Sequence, residues 1–144
     1  SGDGPIQAMH WALADADATP QDVDYVNAHG TSTPMNDRSE SAAMHAVFGA
    51  EVGRVSVSST KSAMGHLIAA AGAVEAAVCA LSIHHGVLPV NANYLHPDPD
   101  CMLNLVVGTA RKQPVRVALS NSLGFGGSNS CLAFRHPDFD GGRT

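Results

Sequence analysis

The hydrophobic positions of this chain follow a helical spacing in some segments and a strand-like spacing in others, and the two alternate. Helical spacing covers residues 5–18, 36–48 and 67–85, the last of which consists largely of alanine. Short β-type runs at 23–28 and 55–58 separate these segments. Helices that alternate with strands are typical of an α/β fold, in which a sheet lies between layers of helices.

The chain after residue 86 is predicted to be mainly extended. Its β-rich runs are 87–92, 103–107, 115–120 and 130–135, and the glycine loop 124–127 separates the last two as in a hairpin. Only two clear strands precede this region, which is few for helix faces that are so apolar. We therefore expect the sheet to lack at least one strand and the fold to need another polypeptide.

The 144 residues are enough for one domain, which we expect to span residues 1–137. Residues 138–144 are predicted to form a flexible tail. The chain begins at Ser1 rather than at methionine, so we also expect it to be processed or cut from a longer protein.

Composition and charge argue against several classes of function. A net charge of −5 without a cluster of Lys and Arg disfavours binding to nucleic acid or to an anionic membrane surface. The most apolar stretch, Leu67–Ile83, is interrupted by Gly72 and Glu75, so no membrane insertion is predicted. No secretion signal is visible, and we expect a cytoplasmic protein. In that compartment we expect the three cysteines, Cys79, Cys101 and Cys131, to be reduced thiols. Their spacing in the sequence is not that of metal ligands.

A histidine and a glycine lie together just after each of the first two predicted strands. His29 and Gly30 follow the strand 23–28, and His66 comes after the strand 55–58. Ligands in α/β folds bind at the carboxyl ends of the strands. One such histidine is commonly a structural turn residue, but two can converge on one pocket. The sequence therefore predicts that His29 and His66 share a site.

Glu75 is the only acidic residue between Arg54 and Asp98, and alanines surround it in the sequence. An unpaired carboxylate in that setting costs on the order of several kcal/mol. Glu75 therefore either holds a cation, for which Lys61 is nearest in sequence, or faces water.

The loop 124–127 carries an exposed aromatic candidate, Phe125, among glycines. No helix follows this loop, which argues against a site for a dinucleotide or phosphate. A mobile gate and a wide hairpin turn both remain open.

The neighbours His84 and His85 point about 100° apart on a helix, which argues against a metal pair.

Three motifs resemble those of the β-ketoacyl-acyl carrier protein synthases of the condensing enzyme II type, in the thiolase-fold superfamily. They are N-A-H-G-T-S-T-P at 27–34, S-S-T-K-S-A-M-G-H at 58–66 and N-S-L-G-F-G-G-S-N at 121–129. The resemblance spans about 4–134. It implies an α/β fold, the C-terminal half of the thiolase-like layered fold, with a mixed sheet that has helices on its faces. This half is incomplete without the N-terminal half or a partner chain.

The resemblance also implies roles for individual residues. His29 and His66 are similar to the two active-site histidines of the family, and Lys61 to its lysine. Glu75 resembles the acid paired with that lysine, and Asp37 is a supporting residue. The residues implied in substrate binding are Thr31 and Thr33, for the pantetheine arm, and the gating aromatic Phe125 with Gly126 and Gly127. Leu123 departs from the phenylalanine that is usual in the family before this loop.

The activity implied by the resemblance is a decarboxylative Claisen condensation of malonyl-carrier protein with an acyl thioester. The substrates are carried on the phosphopantetheine arm of acyl carrier protein, without a bound cofactor or metal. None of the three cysteines has the context of the family nucleophile, so an N-terminal half or companion chain must supply it, in an assembly expected to be dimeric. A malonyl decarboxylase-like subunit, a polyketide ketosynthase subunit and a non-catalytic scaffold that binds carrier protein are the alternatives.

Overall fold

A five-stranded mixed sheet with helices on both faces forms the centre of the protein in this computed structural model, which describes residues 3–141. The helices are α1 (Asp3–Asp15), α2 (Pro34–Phe48), α3 (Lys61–Met64) and α4 (Ala71–His85). The strands are β1 (Val23–Asn27), β2 (Ser56–Ser58), β3 (Val87–Leu88), β4 (Asn104–Leu105), β5 (Arg111–Lys112), β6 (Val117–Leu123) and β7 (Asn129–Arg135).

The strand order in the main sheet is β4-β2-β1-β6-β7. The first four strands are parallel, and β7 runs antiparallel to β6 as the predicted hairpin. β3 and β5 form a separate antiparallel pair. The predicted α/β class with a mixed sheet is confirmed. The short strand β4, within the predicted run 103–107, extends the sheet beyond β2. The expectation that the sheet lacks a strand stays a prediction.

Local sequence signals set the bounds of α2 and the end of α4. Pro34 occupies the first turn of α2, and Thr33 caps it by accepting a hydrogen bond from the backbone N–H of Asn36. Gly49 follows α2 with a φ of 53°, and Gly86 follows α4 with a φ of 61°. Both are backbone conformations that glycine adopts at little cost.

The alanine helix begins four residues later than predicted, at Ala71 instead of Leu67. The chain between α3 and α4 turns sharply because Gly65 has a φ of 77° and Ile68 a φ of 51°. A left-handed isoleucine is rare, and its apolar side chain gave no sign of a turn. α1 likewise ends before the predicted Ala18, since Asp17 is left-handed with a φ of 47°.

The two faces of the sheet are covered to different extents. α1 and α2 cover one face, which we call the closed face, and α4 lies on the other, the α4 face. The buried hydrophobic residues on the closed face are Met9, Leu13, Val23, Val26, Ala28, Ala43, Met44, Val47, Phe48, Val55, Val57, Val117 and Leu119. Those on the α4 face are Tyr25, Cys79, Ile83, Leu88, Val106, Val115 and Ala118.

The side of α4 that points away from the sheet is exposed and almost entirely apolar. We call it the outer stripe of α4; it consists of Ala73, Ala77, Ala80, Leu81 and His84. By length and composition alone, the helical segment Ile68–His85 could cross a membrane, and 22% of it is buried. This differs from the sequence expectation that no segment would qualify. Glu75, in the middle of this segment, is paired with Lys61, and Cys79 and Ile83 pack on the sheet.

The end of the described chain contacts the closed face. Phe139 packs against the residues of that face, and the guanidinium of Arg135 lies 5.9 Å from the centre of the Phe139 ring. The boundary between a domain at 1–137 and a tail at 138–144 stays a prediction, and residues 142–144 of that tail lie outside the described residues.

Candidate active site

The loops that follow β1 and β2 bring His29 and His66 together. β1 and β2 are adjacent and parallel, with Asn27 opposite Ser58, so both loops leave the sheet at the same edge. The centres of the two imidazole rings are 5.6 Å apart, and the ring planes meet at 84°. His29 is 9% exposed, whereas His66 is an exposed residue. One imidazole therefore lies within the fold and the other at its surface.

His29 is held in its neutral form by its surroundings. Burial lowers the pKa of His29 to about 4, and the charges of Lys61 and His66 add to that effect. At neutral pH the ring therefore has one N–H to donate. Its Nδ1 atom is buried and has no hydrogen-bond partner among residues 3–141.

The turn after α3 fixes the orientation of the His66 ring. The backbone N–H of Ile68 donates a hydrogen bond to Nδ1 of His66 at 3.0 Å. In a neutral ring Nδ1 is then the acceptor, and the proton lies on Nε2. This contact depends on the left-handed backbone of Ile68, a conformation that costs about 1–3 kcal/mol. His66 therefore carries an N–H donor at the far side of its ring.

Lys61 and Glu75 form a buried ion pair behind the histidines. Lys61 lies at the start of α3 and Glu75 in α4, and their side chains are 6% and 3% exposed. The alternative in which Glu75 faces water is therefore wrong. The second carboxylate oxygen, Oε2, has no hydrogen-bond partner within the described chain.

Thr31 and Thr33 lie on the loop between His29 and α2. Their hydroxyl oxygens are 3.2 Å apart, and both residues are accessible from solvent. Asp37 accepts a hydrogen bond from the side chain of Asn36 at 3.0 Å. Asp37 lines a cleft of about 400 Å³ between α2 and the segment 91–103, so the structure places it in that cleft and not against the paired rings.

Phe125 lies on the loop between β6 and β7, and its side chain is fully exposed. Gly126 and Gly127 have φ values of 75° and 83°, which other residues rarely adopt. A hydrogen bond of 2.7 Å from the N–H of Gly124 to the carbonyl of Ser128 closes the loop.

The sequence interpretation missed Glu40. This residue is 2% exposed, and its carboxylate accepts hydrogen bonds from the backbone N–H groups of His29 at 2.8 Å and Gly30 at 2.9 Å. The side chain of Asn121 donates a third bond at 3.2 Å. A signal was present, since Glu40 has the spacing of the buried helix residue Met44. The argument applied to Glu75 does not extend to Glu40, because polar residues surround Glu40 in the sequence.

Over residues 1–95, the sequence matches the family described as β-ketoacyl synthase, C-terminal domain. The chain belongs to this family. Nodulation protein E of Rhizobium sp. (strain N33) is 50% identical over 133 residues, which are 92% of this chain and 33% of that protein. The 3-oxoacyl-[acyl-carrier-protein] synthase 2 of Synechocystis sp. is 46% identical over 134 residues, 93% of this chain and 32% of that protein.

Solved structures of ketosynthases have the same fold. The ishigamide ketosynthase/chain length factor superposes with a TM-score of 0.89 at 37% identity, over 94% of this chain and 33% of that one. A type II polyketide synthase acyl-carrier protein in complex with its ketosynthase superposes with a TM-score of 0.91 at 36% identity. That match covers 96% of this chain and 34% of the other. The chain thus spans about one third of the length of these relatives.

The cysteines of this β-ketoacyl synthase C-terminal domain do not form an activated nucleophile. All three are free thiols. Burial raises the pKa of Cys79 and that of Cys131 to about 12, and burial followed by neighbouring aspartates raises the pKa of Cys101. The thiolate is the nucleophilic form, and these environments disfavour it.

Residues 3–141 of the domain contain no group of three or more His, Cys, Asp or Glu side chains arranged to hold a metal ion. Three buried oxygen atoms lack a hydrogen-bond donor among these residues: Asn27 Oδ1, Glu75 Oε2 and Asn121 Oδ1. Oxygens of this kind suit an ordered water or a hard cation.

Proposed function

We propose that this chain is the histidine-bearing part of a β-ketoacyl-acyl carrier protein synthase that catalyses decarboxylative Claisen condensation. The observation that carries the proposal is the pair of imidazoles, His29 and His66, with ring centres 5.6 Å apart. His29 is neutral because of burial, and the N–H of Ile68 leaves the proton of a neutral His66 on Nε2. Two neutral N–H donors can then bind one oxygen atom.

The reaction needs such donors because loss of CO2 creates negative charge. The C–C bond to the malonyl carboxylate breaks, CO2 leaves, and the electron pair forms an enolate whose charge lies on the thioester oxygen. That oxygen is stabilised by preorganised N–H groups, here assigned to His29 and His66. The enolate carbon then attacks the acyl thioester carbonyl, a C–C bond forms, and the C–S bond to the enzyme cysteine breaks. The thiolate leaves and is ready for the next acyl group.

Lys61 and Glu75 are assigned to the electrostatics of this site. The buried ammonium of Lys61 adds to the low pKa of His29 and so disfavours a second positive charge on that ring. Glu75 pairs with Lys61 and so offsets the cost of burying that ammonium.

The nucleophilic cysteine is proposed to come from a part that this chain does not contain, on an N-terminal half or a companion chain. The raised pKa values of the three cysteines present support this division. The assembly is proposed to be dimeric and cytoplasmic and to take its acyl groups from acyl carrier protein, as the carrier-protein complex of the similar ketosynthase supports. Thr31 and Thr33 are assigned to the phosphopantetheine arm. The loop of Phe125, Gly126 and Gly127 is assigned to gating, and Asp37 to support of the loop next to α2.

A polyketide ketosynthase subunit is the second candidate. The similarity to the ishigamide ketosynthase/chain length factor and to a type II polyketide ketosynthase favours it. Both candidates share the same condensation chemistry. A non-catalytic scaffold has weaker support, because a scaffold gains nothing from a buried Lys61–Glu75 pair beside two histidines.

The proposal is tested with the assembled enzyme, in which this chain is combined with the part that carries the cysteine. His66→Ala and His29→Ala are each expected to lower kcat for malonyl-carrier protein decarboxylation by about 10²–10³-fold, the usual effect of losing one such donor. Release of CO2 reports that step, and mass spectrometry of the acylated cysteine reports acyl loading, which should persist.

The matched control is His10→Ala, which changes an exposed histidine of α1. It should leave both steps unchanged. Decarboxylation at the normal rate in His66→Ala would disprove the oxyanion role. A wild-type assembly that releases no CO2 would instead favour the scaffold.

A further inference from the structure

The strands β2 and β4 part at their carboxyl ends, and the side chain of Asn91 lies in the gap between them. The backbone N–H of Val106 still donates to the carbonyl of Val57, at 2.9 Å. In a parallel pair, the next bond would run from the N–H of Ser59 to the carbonyl of Val106. Here Ser59 donates instead to Oδ1 of Asn91 at 2.9 Å, and Nδ2 of Asn91 donates to the carbonyl of Val106 at 3.2 Å. The side-chain amide thus bridges two backbone groups that the strands leave apart.

An asparagine suits this place because its amide carries the same donor and acceptor groups as a peptide group. Nδ2 of Asn91 also donates to the carbonyl of Val57 at 3.1 Å, and the backbone N–H of Asn91 donates to Val106 at 2.8 Å. A hydrophobic residue of similar size would leave the N–H of Ser59 without this acceptor, which is unfavourable in a residue that is 6% exposed. Asn91 therefore continues the hydrogen bonding of β2 beyond the last residue that pairs with β4.

Ser59 lies between Asn91 and the loop that carries His29. The hydroxyl of Ser59 donates to the carbonyl of His29 at 3.4 Å. Gly30 has a φ of 42°, and a Cβ atom there would lie 2.6 Å from Cβ of Ser59. The two segments are therefore in close contact, and a shift of Ser59 would move it against the His29 loop.

Ser59 also begins the turn that leads into α3. Its carbonyl accepts from the backbone N–H of Ser62 at 3.2 Å and from the hydroxyl of Ser62 at 2.8 Å. The N–H of Ala92, the residue after Asn91, donates to the same hydroxyl at 2.8 Å. Lys61 lies within this turn, at the start of α3. The segment 91–92 thus holds the segment 59–62 at both ends, and the position of Lys61 depends on that contact.

We propose that Asn91 is a positioning residue of the candidate active site, whose side-chain amide holds Ser59 and thereby sets where Lys61 lies relative to His29. This rests on the proposed function of the two histidines and Lys61. Asn91 does not touch the reacting atoms in this scheme. Its effect passes through the backbone of residues 59–62.

The test is Asn91→Ala in the assembled enzyme. The change removes the acceptor for the N–H of Ser59 and the side-chain donor to Val106, so the segment 59–62 can shift. Misplacement of a group in the site by about 1 Å can cost roughly 10²-fold in rate. We expect kcat for malonyl-carrier protein decarboxylation to fall about 10–100-fold, while KM changes less than about twofold. Acyl loading should persist, because the cysteine is proposed to lie on another part.

Asn104→Ala is the matched control that separates positioning from general loss of structure. Asn104 begins β4, at the other end of the same pair of strands, and its Oδ1 accepts from Arg111 at 3.0 Å. Both variants remove a partly buried amide from one edge of the sheet, and denaturant titration shows that each is folded. Asn104→Ala should leave kcat unchanged. Equal falls in kcat would overturn the proposal, because the edge of the sheet as a whole would then matter and not the bridge made by Asn91.

The titration of His29 gives a readout that does not depend on activity. Burial lowers the pKa of His29, and the charges of Lys61 and His66 add to that effect. When Lys61 shifts away in Asn91→Ala, His29 should titrate at a higher pH than in wild type, as ¹H–¹⁵N spectra of the imidazole in the assembled enzyme measure. Asn104→Ala should titrate as wild type does.

The two readouts also distinguish this proposal from the proposed function. An unmoved pKa of His29 in Asn91→Ala, or an unchanged kcat in an active enzyme, would overturn the role of Asn91 and leave the proposed function standing. A wild-type assembly that releases no CO2 would refute the proposed function, and the titration of His29 would still decide whether Asn91 positions Lys61.

Should Asn91→Ala fail to fold, Asn91→Asp tests the same bridge. A protonated carboxyl group keeps an acceptor for Ser59 and one donor for a carbonyl, whereas an ionised one turns a second oxygen towards the carbonyls of Val57 and Val106. The cleft that Asn91 lines holds further ionisable groups, and its acids also favour the protonated form: Asp37, Glu40, Asp98 and His96. The ratio of kcat in Asn91→Asp to kcat in wild type should therefore rise as the pH falls from about 8 to about 5.5. A constant ratio would overturn the proposal.

Discussion

The two faces of the sheet differ in how completely this chain covers them. On the closed face, α1 and α2 pack side by side and bury large residues such as Phe48 and Met44. On the α4 face a single helix of small residues lies on the sheet, and its outer stripe, which includes Ala77 and Leu81, remains exposed. One face resembles the interior of a finished domain, and the other resembles half of an interface.

The chemistry follows the same division. His29 is buried, and its backbone N–H bonds to Glu40 of α2, a helix of the closed face. His66 is exposed and belongs to the turn that leads into α4. An oxyanion site must exclude water to be effective. Under the proposed function, the part that carries the cysteine must also shield His66 from water, and we expect it to cover the outer stripe of α4 as well, so assembly and activity should be lost together.

The largest effect is expected from a charge on the outer stripe. Ala77→Asp should weaken association with the cysteine-bearing part by about 10²–10³-fold, because burying an unpaired carboxylate costs several kcal/mol. Ala46→Asp, on the exposed side of α2, is the matched control and should have little effect. Analytical ultracentrifugation measures both. Equal association of the two variants would mean that the outer stripe is free in the assembly.

The difference in packing between the two faces can be measured by truncating one side chain on each face. Phe48→Ala on the closed face should lower the free energy of unfolding by about 3–5 kcal/mol, as is usual for a buried aromatic residue. Leu81→Ala on the outer stripe should change it by less than about 0.5 kcal/mol in the isolated chain. Denaturant titration reports both values. A large loss in Leu81→Ala would show that the stripe is already packed within this chain.

Removing one partner of the buried Lys61–Glu75 ion pair should destabilise the fold more than replacing both partners. Lys61→Ala leaves Glu75 buried and uncompensated, which is expected to destabilise the fold by about 3–5 kcal/mol. The double change Lys61→Met with Glu75→Leu should recover most of that loss but not the decarboxylation activity. Glu51→Ala breaks an exposed pair with Arg54 and serves as the control, with a loss below about 1 kcal/mol. Recovered activity in the double variant would remove the electrostatic role of Lys61.

The smallest expected effect is a pH dependence from His29. Its pKa is about 4 in the folded chain and near 6.5 when unfolded, so below pH 6.5 the unfolded state binds a proton that the folded state does not. Stability due to this group is therefore lost as the pH falls from about 6.5 to about 4. Urea titrations at pH 7.5 and 4.5 should show a larger loss for wild type than for His29→Gln, with His10→Gln as the control. Equal losses would mean that His29 titrates normally.

Much of the fold and part of the site could be predicted from the sequence. The periodicity gave the order of helices and strands, and the positions of His29 and His66 after neighbouring strands pointed to one site. The start of α4 could not be predicted, since the turn depends on a left-handed Ile68 whose identity favours other conformations. Glu40 was missed because its carboxylate bonds to the backbone N–H groups of His29 and Gly30, which lie on another part of the fold. A sequence motif shows which side chains are present, but it does not show which backbone N–H groups those side chains bind.

The close approach of Gly30 to Ser59 has a mechanical consequence. Ser59 precedes Lys61 by two residues, so any shift of the first histidine's loop presses on the segment that leads to the second histidine. We therefore expect the spacing of the two imidazoles to change little when the loop of His29 moves.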